Sequence, residues 1–187
     1  MAVLTAPRLM PKDLLRRPDR GKGFELINGE MREQNVSTKS SYVAGETFFQ
    51  IRSFMKAKPL GWVFPEGTGF TCFESGMRKA DTAFIKTNRL SKQQYDEEGY
   101  CDVCPDLVVE VISPNDLSYE VSEKREVWLE AGVQLLWEID PEAETIHVYK
   151  ADGTVTLFRK TDTLTAEPVL PGFACAVAEL FKSPVGS

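Results

Sequence analysis

The sequence predicts one α/β domain with a mixed β-sheet flanked by helices. The chain has 187 residues, of which 42% are hydrophobic, and this is enough for one full core and short for two. Segments with helical spacing of apolar residues, at Tyr42–Lys56 and Glu120–Ala131, alternate with short apolar runs that predict strands. Two turn signals, Asn28-Gly29 and Asp152-Gly153, add a hairpin to each end of the domain.

The N-terminal residues predict an arm followed by a hairpin. Residues 1–20 contain three prolines and form the predicted arm, with one helical turn at Lys12–Arg16, while residues 21–187 form the single domain. Asn28-Gly29 joins two strand-like runs, and both turn residues tolerate positive φ, so a hairpin over Phe24–Glu33 is expected.

The remaining elements follow from apolar runs and from the residues that interrupt them. Ser37 and Thr38 are suited to cap the first long helix, and Pro59 ends it. Gly132 ends the second long helix. A short helix is expected at Ser91–Glu97. The predicted strands are Trp62–Phe64, Gly69–Phe73, Ala80–Lys86, Leu107–Ile112, Gln134–Asp140, Thr145–Tyr149 and Thr154–Arg159.

Composition excludes several classes of protein. No run of apolar residues is long enough to cross a bilayer, and the N-terminus lacks the order of a secretory signal, so a cytoplasmic protein is expected. Four cysteines with one CxxC pair, Cys101 and Cys104, do not provide the ligand pattern of a structural zinc site. The single histidine, His147, lies in an alternating run that predicts a strand, which argues against a Ser-His-Asp or Cys-His nucleophile.

The net charge of −6 argues against a strongly basic nucleic-acid-binding surface. Basic residues nevertheless cluster at residues 8–22 and again between residues 52 and 89. A local patch facing a phosphate backbone is therefore compatible with the overall charge, although a solvated face is the simpler interpretation of each residue taken singly.

Two carboxylates stand in or beside apolar runs. Glu110 interrupts the run Leu107–Ile112, and Asp81 stands at the head of another. A carboxylate inside a hydrophobic strand is costly to desolvate unless a cation, a metal or a proton compensates it. If the two runs pair as neighbouring strands with both residues on one face, the carboxylates converge and suit Mg²⁺ or Mn²⁺. Such an ion polarises a phosphoryl oxygen and generates a hydroxide nucleophile.

Asp106 is the rival of Asp81 as partner for Glu110. It shares a strand face with Glu110, but four residues along a strand separate them by about 13 Å. That distance is too long for one metal ion, so Asp81 is the preferred partner. Trp128, Val133 and Trp137 are interpreted as core residues.

The order of these features resembles the Uma2 family of PD-(D/E)XK nuclease-like proteins. The resemblance rests on a hairpin with Glu25, a helix, a strand with Asp81, the block PDLVVEVISP, a helix with a lysine and an aromatic residue before Ala-Gly-Val, then WEIDP and VY. It covers about Phe24 to about Tyr149. It implies a restriction-endonuclease-like core with a mixed sheet flanked by helices, and Mg²⁺- or Mn²⁺-dependent cleavage of DNA.

The resemblance also assigns roles to individual residues. Asp81 takes the position of the aspartate in the PD element and Glu110 that of the acidic residue in (D/E)XK, so both are expected metal ligands. Ile112 stands where the motif has lysine. Lys124, on the following helix, matches the displaced lysine and is expected to position or activate water. Glu25 is an expected auxiliary acid, and Glu46 on the first helix is a competing candidate.

Other interpretations of these residues stay open. Asp81 is also explained as a strand-end residue, and Glu110 as half of a buried ion pair with Lys124 or Lys79. In relatives the stretch Asn35–Tyr42 often holds a histidine, which is missing here. The leading hypothesis is a metal-dependent endonuclease acting on DNA, and the alternative is a catalytically inactive nuclease-fold protein with a binding or assembly role. A homodimer is expected under either hypothesis.

Overall fold

A six-stranded mixed sheet runs through the computed structural model, which describes residues 8–34, 37–73 and 76–183. Residues 1–7 of the predicted arm, and Asn35 and Val36 of the stretch without histidine, lie outside the described residues. The helices of the described part are α1 (Pro11–Leu15), α2 (Thr38–Ala57), α3 (Lys92–Asp96), α4 (Ser118–Glu130) and α5 (Val177–Leu180). Its strands are β1 (Phe24–Ile27), β2 (Glu30–Glu33), β3 (Gly61–Pro65), β4 (Gly69–Phe70), β5 (Gly76–Lys79), β6 (Thr82–Lys86), β7 (Leu107–Val111), β8 (Leu135–Asp140), β9 (Thr145–Lys150), β10 (Val155–Arg159), β11 (Thr163–Thr165) and β12 (Ala174–Ala176).

The six-stranded sheet has the order β10-β9-β8-β7-β6-β3. The β7–β8 pair is parallel and the other pairs are antiparallel, so the predicted mixed sheet is confirmed. Helix α4 connects the two parallel strands, because parallel neighbours need a crossover that carries the chain back along the sheet. This connection places the helix over the strand that carries Glu110.

A smaller sheet with the order β2-β1-β5-β4 stands beside the large one. The predicted hairpin is confirmed: Asn28 and Gly29 have φ values of 51° and 82°, as a two-residue turn between twisted strands requires. The prediction missed β5, which carries two basic residues and lacks an apolar pattern. The predicted strand Gly69–Phe73 is too long, because β4 ends at Phe70.

The long helices cover opposite faces of the six-stranded sheet. Side chains alternate along β7, so Leu107, Val109 and Val111 pack in the same cluster as the apolar residues of α2. Val108 packs on the other face, with Trp128 of α4. Trp128, Val133 and Trp137 are fully buried, which confirms their assignment to the core.

Helix α2 begins a turn earlier than the predicted Tyr42. The Ser37 hydroxyl accepts a hydrogen bond from the backbone N–H of Ser40 and caps the helix, as its sequence position predicts. The helix ends at Ala57, before Pro59. The predicted short helix near Ser91 is likewise present as α3, capped by Ser91.

The two ends of the described chain pack against the rest. Leu14 of α1 is fully buried with Leu26 and Met77, so this part of the predicted arm covers the small sheet. At the other end, Phe173 and Leu180 are buried in the cluster beneath α2, so the C-terminal part of the described chain packs on the domain. Among the described residues, no helix is both long and apolar enough to span a membrane.

Candidate functional site

A cleft of about 170 Å³ opens where the small sheet, the large sheet and α4 meet. It is lined by side chains from all three, and acidic residues outnumber basic ones. In the described part of the chain the acidic lining residues are Glu25, Glu33, Glu66, Asp81, Glu110, Asp116, Glu120, Glu123 and Glu138. The basic ones are Arg32, Arg78, Lys124 and Arg125.

Strand pairing brings Asp81 and Glu110 together. Strands β6 and β7 are antiparallel with Thr82 opposite Val109, and continuing this register by one residue sets Asp81 opposite Glu110. The backbone N–H of Asp81 donates to the carbonyl of Val109 at 3.1 Å, and Asp81 Oδ2 accepts from the N–H of Val111 at 2.7 Å. Both carboxylates line the cleft, as the sequence predicts.

Helix α4 holds the Glu110 carboxylate by both oxygens. Lys124 and Trp128 are four residues apart, so they lie on the same side of the helix. Lys124 Nζ is 2.6 Å from Glu110 Oε2, and Trp128 Nε1 donates to Glu110 Oε1 at 2.7 Å. The displaced lysine therefore reaches the strand carboxylate, and of the two cations considered for an ion pair with Glu110, Lys124 and not Lys79 makes it.

The hairpin contributes Glu25 to the same cleft. Its Oε1 accepts the backbone N–H of Lys79 at 2.7 Å and lies 3.8 Å from Lys124 Nζ. The Lys79 ammonium points elsewhere and donates to the carbonyl of Gly21 at 2.9 Å. Glu25 thus joins β1 to β5 and stands at the edge of the Glu110–Lys124 pair.

Burial sets the protonation of the central groups. It raises the pKa of Asp81, although the Lys124 ammonium acts in the opposite direction. Burial also raises the pKa of Glu110 to about 8, against the lowering effect of Lys124, and the neighbouring carboxylates of Asp81 and Glu25 add to the increase. Burial favours the neutral form of both carboxyl groups, and Lys124 offsets this effect only in part.

Lys124 remains protonated in this environment. Burial acts to lower the pKa of Lys124, but the carboxylates of Glu110, Glu25 and Asp81 outweigh burial and raise it. The ammonium group is consequently a hydrogen-bond donor and a fixed positive charge at neutral pH. A protonated amine donates hydrogen bonds and does not accept a proton, so the raised pKa of Lys124 opposes a role as general base.

Glu46 and Asp106 lie away from the cleft. Glu46 is on α2, which covers the opposite face of the sheet, and it accepts a hydrogen bond from Gln50. The site therefore does not include this competing candidate. Asp106 is fully buried at the start of β7, where it binds Arg89 at 3.1 Å and the backbone N–H of Lys86 at 2.9 Å. Its role is to hold a loop, and Asp81 is the carboxylate that faces Glu110.

Several residues that line the cleft or hold its carboxylates were not identified as site residues from the sequence. Trp128 is a core residue that also donates to Glu110, and its spacing from Lys124 was the available signal. Arg125, next to Lys124, binds Glu138 at 2.8 Å, and Glu138 stands opposite Glu110 on β8. Arg78 lines the cleft from β5, the strand that the apolar pattern did not reveal.

The donor set of the cleft suits a hard divalent cation. Among residues 8–34, 37–73 and 76–183, no three His, Cys, Asp or Glu side chains form a group arranged to hold a metal ion. Mg²⁺ needs fewer protein ligands, because it is usually bound through one or two carboxylates together with water and substrate phosphates. Asp81 and Glu110 offer two such carboxylates, and the excess of acidic side chains favours an added cation.

A solved structure shows the fold of this chain, and a family model shows the family to which it belongs. A solved structure described as "a putative nuclease belonging to DUF820 from Anabaena variabilis ATCC 29413" superposes with a TM-score of 0.77 at 21% sequence identity. The match covers 92% of this chain and 97% of that one, so the chain has the fold of that protein. A family model named Uma2, described as "Putative restriction endonuclease", matches residues 11–178. The chain belongs to the Uma2 family, and the resemblance found in its sequence is confirmed. No curated protein matches it.

Proposed function

We propose that the protein is a Mg²⁺- or Mn²⁺-dependent endonuclease that hydrolyses phosphodiester bonds in DNA. The observation that carries this proposal is the convergence of Asp81, Glu110 and Lys124 on one cleft, with Lys124 Nζ 2.6 Å from Glu110 Oε2. Membership of the Uma2 family, whose model is described as "Putative restriction endonuclease", supports a nucleic acid as the substrate.

Asp81 and Glu110 are the proposed metal ligands. Asp81 Oδ2 is engaged by a backbone N–H, and the hydrogen bonds of the described residues leave Oδ1 available. Glu110 has both oxygens engaged by single donors, and each carboxylate oxygen can accept more than one contact. A divalent cation bound there would polarise the scissile phosphate and lower the pKa of a bound water.

Lys124 is proposed to position the attacking water and to stabilise charge on the phosphate. Its raised pKa supports donation of a hydrogen bond by Nζ and opposes proton abstraction. Trp128 holds Glu110 in place from below, and Glu25 limits the positions that the lysine side chain adopts. A homodimer cutting both strands is part of the proposal, since one cleft acts on one phosphodiester bond at a time.

The test is incubation of the full chain with supercoiled and with linear DNA, in Mn²⁺ and in EDTA. We expect nicking and linearisation in Mn²⁺, none in EDTA, and loss of at least about 100-fold in rate for Asp81→Asn. Glu46→Gln is the matched control, because it removes one acidic charge outside the cleft, and it should cut like the natural chain. Activity that survives Asp81→Asn would refute the assignment. DNA binding without cleavage in any metal would instead support the inactive, binding alternative.

A further inference from the structure

Arg78 is a buried cation that makes no side-chain hydrogen bond or ion pair with the residues that the structure describes. Its side chain lies in β5 at the wall of the cleft, and the residue is only 7% exposed. Among the described residues, the hydrogen bonds and ion pairs of side chains do not include its guanidinium group. An unpaired buried charge is costly, and natural proteins seldom keep one without a use.

The other basic residues of the cleft are each paired with a carboxylate. Lys124 binds Glu110 at 2.6 Å, Arg125 binds Glu138 at 2.8 Å, and Arg32 contacts Glu120 at 3.7 Å. Within the part of the chain that the structure describes, Arg78 is therefore the cleft cation whose donors remain available. Glu25, its neighbour across the β1–β5 pair, is already bonded to the backbone of Lys79.

The guanidinium opens into the cleft and is not sealed in the core. The fully enclosed, unpaired side-chain atoms of the described residues are Thr82 Oγ1, Ser113 Oγ and Trp137 Nε1. The guanidinium nitrogens of Arg78 have no partner among the described residues either, but they are not fully enclosed. Because Arg78 lines the cleft, these nitrogens are accessible from it. Burial lowers the pKa of Arg78 and the carboxylates of Glu25 and Glu123 oppose that effect, but a guanidinium stays charged at any working pH.

We propose that Arg78 binds a phosphate of the nucleic-acid backbone and presents it to Asp81 and Glu110. The planar guanidinium fork matches two phosphate oxygens, and Arg78 lies three residues before Asp81 on the chain segment that enters β6. A cleft so rich in carboxylates repels a polyanion, and Arg78, which no described carboxylate binds, offers a positive charge to the phosphate. This inference rests on the proposed function, because it names the residue that holds the substrate of that site.

A structural role for Arg78 makes the opposite prediction about stability. If the arginine holds the fold together, its replacement by methionine lowers the unfolding midpoint. If it is kept for an anion, methionine removes an unpaired buried charge and leaves the midpoint of the free protein unchanged or higher. Binding and stability together therefore separate the two roles.

The experiment uses the full chain and a fluorescein-labelled 12-base-pair DNA duplex in the presence of Ca²⁺, with affinity measured by anisotropy. We expect Arg78→Met to weaken binding by about tenfold or more, and Arg78→Lys to recover part of the loss as a point charge. Arg32→Met is the matched control, since Arg32 lines the same cleft but is half-exposed and paired, and it should change affinity by less than about threefold.

Thermal unfolding of the same variants without DNA completes the test. The proposal is supported if Arg78→Met loses affinity while its unfolding midpoint is at least that of the natural chain. It is overturned if the natural chain binds DNA and Arg78→Met binds equally well, or if Arg78→Met unfolds at lower temperature and Arg78→Lys restores nothing. If the natural chain itself neither binds nor cuts DNA, the proposed function fails, and the role of Arg78 fails with it.

Discussion

Lys124 Nζ lies 2.6 Å from Glu110 Oε2, so a helix residue provides the cation that the strand itself lacks. Two residues after Glu110, where the PD-(D/E)XK motif has lysine, the strand has ended and Ile112 lines the cleft instead. The crossover from β7 to β8 returns α4 over the strand, and this brings the lysine back to the carboxylate from outside the motif. In this chain a lysine and the strand carboxylate are therefore in contact, although the lysine does not stand at the motif position.

Lys124 should be required for the reaction but not for binding the cation. For Lys124→Met we expect DNA cleavage to fall by about 100-fold or more, because the charge beside the phosphate is lost. The ammonium repels a cation at Glu110 Oε2, but it also lowers the pKa of Glu110, so Mn²⁺ affinity should not weaken once the pH is high enough to deprotonate Glu110 in the variant. Cleavage assays at pH 8.5 and calorimetric titration from pH 7 to pH 9 measure the two effects. Mn²⁺ binding that stays weaker in this variant after it has levelled off with pH would mean that Lys124 organises the ligands and does not act on the substrate.

The Trp128 hydrogen bond should contribute measurably to folding. Trp128→Phe leaves one oxygen of a buried carboxylate without its donor, which we expect to cost about 1–2 kcal/mol in the free energy of unfolding beyond the loss of packing. Trp137→Phe is the matched control, because Trp137 is also fully buried and its Nε1 has no partner among the described residues. Urea denaturation of both variants compares them, and equal losses would show that the Trp128 bond has no net value.

Mn²⁺ affinity should rise with pH up to about 8. Burial raises the pKa of Glu110 to about 8, so below that pH the carboxyl group holds a proton that the metal must displace. Affinity should therefore increase by up to about tenfold per pH unit between pH 6 and pH 8 and level off above it. Calorimetric titration in buffers of different ionisation enthalpy counts the released proton. An affinity that is flat from pH 6 to pH 8 would contradict protonation of Glu110 in the free protein.

The parts of the fold set by local chemistry were predictable from the sequence. A few adjacent residues are enough to predict some elements. Examples are the Asn28-Gly29 turn, the Ser37 cap and the apolar runs of β7 and β8. Strand β5 was missed because Arg78 and Lys79 are buried without an apolar pattern, stabilised by pairing with β1 and β4. Such pairing is a property of the assembled sheet, and the propensities of four residues do not reveal it.

The residue patterns predicted the acidic half of the candidate site, and the family resemblance added Lys124. Glu110 is recognisable in the sequence as a charge in an apolar run. Pairing of its strand with the next one predicts that Asp81 lies beside it. The hydrogen-bond donors around these carboxylates come from elements distant in sequence. Trp128 was therefore interpreted only as a core residue, and Arg78 as a surface residue. Glu46 was a candidate as an acid on the first long helix. That helix packs on the far face of the sheet, which sequence spacing does not reveal, so Glu46 lies outside the cleft.

The most direct test of the account is titration of Mn²⁺ into the natural chain, Glu110→Gln and Glu46→Gln at pH 8.5. Glu110 is the proposed ligand held by both Lys124 and Trp128, and its replacement keeps the shape of the side chain while removing the charge that binds a cation. We expect binding to the natural chain and to Glu46→Gln, and none detectable for Glu110→Gln. Unchanged Mn²⁺ affinity in Glu110→Gln would show that this carboxylate is not a metal ligand.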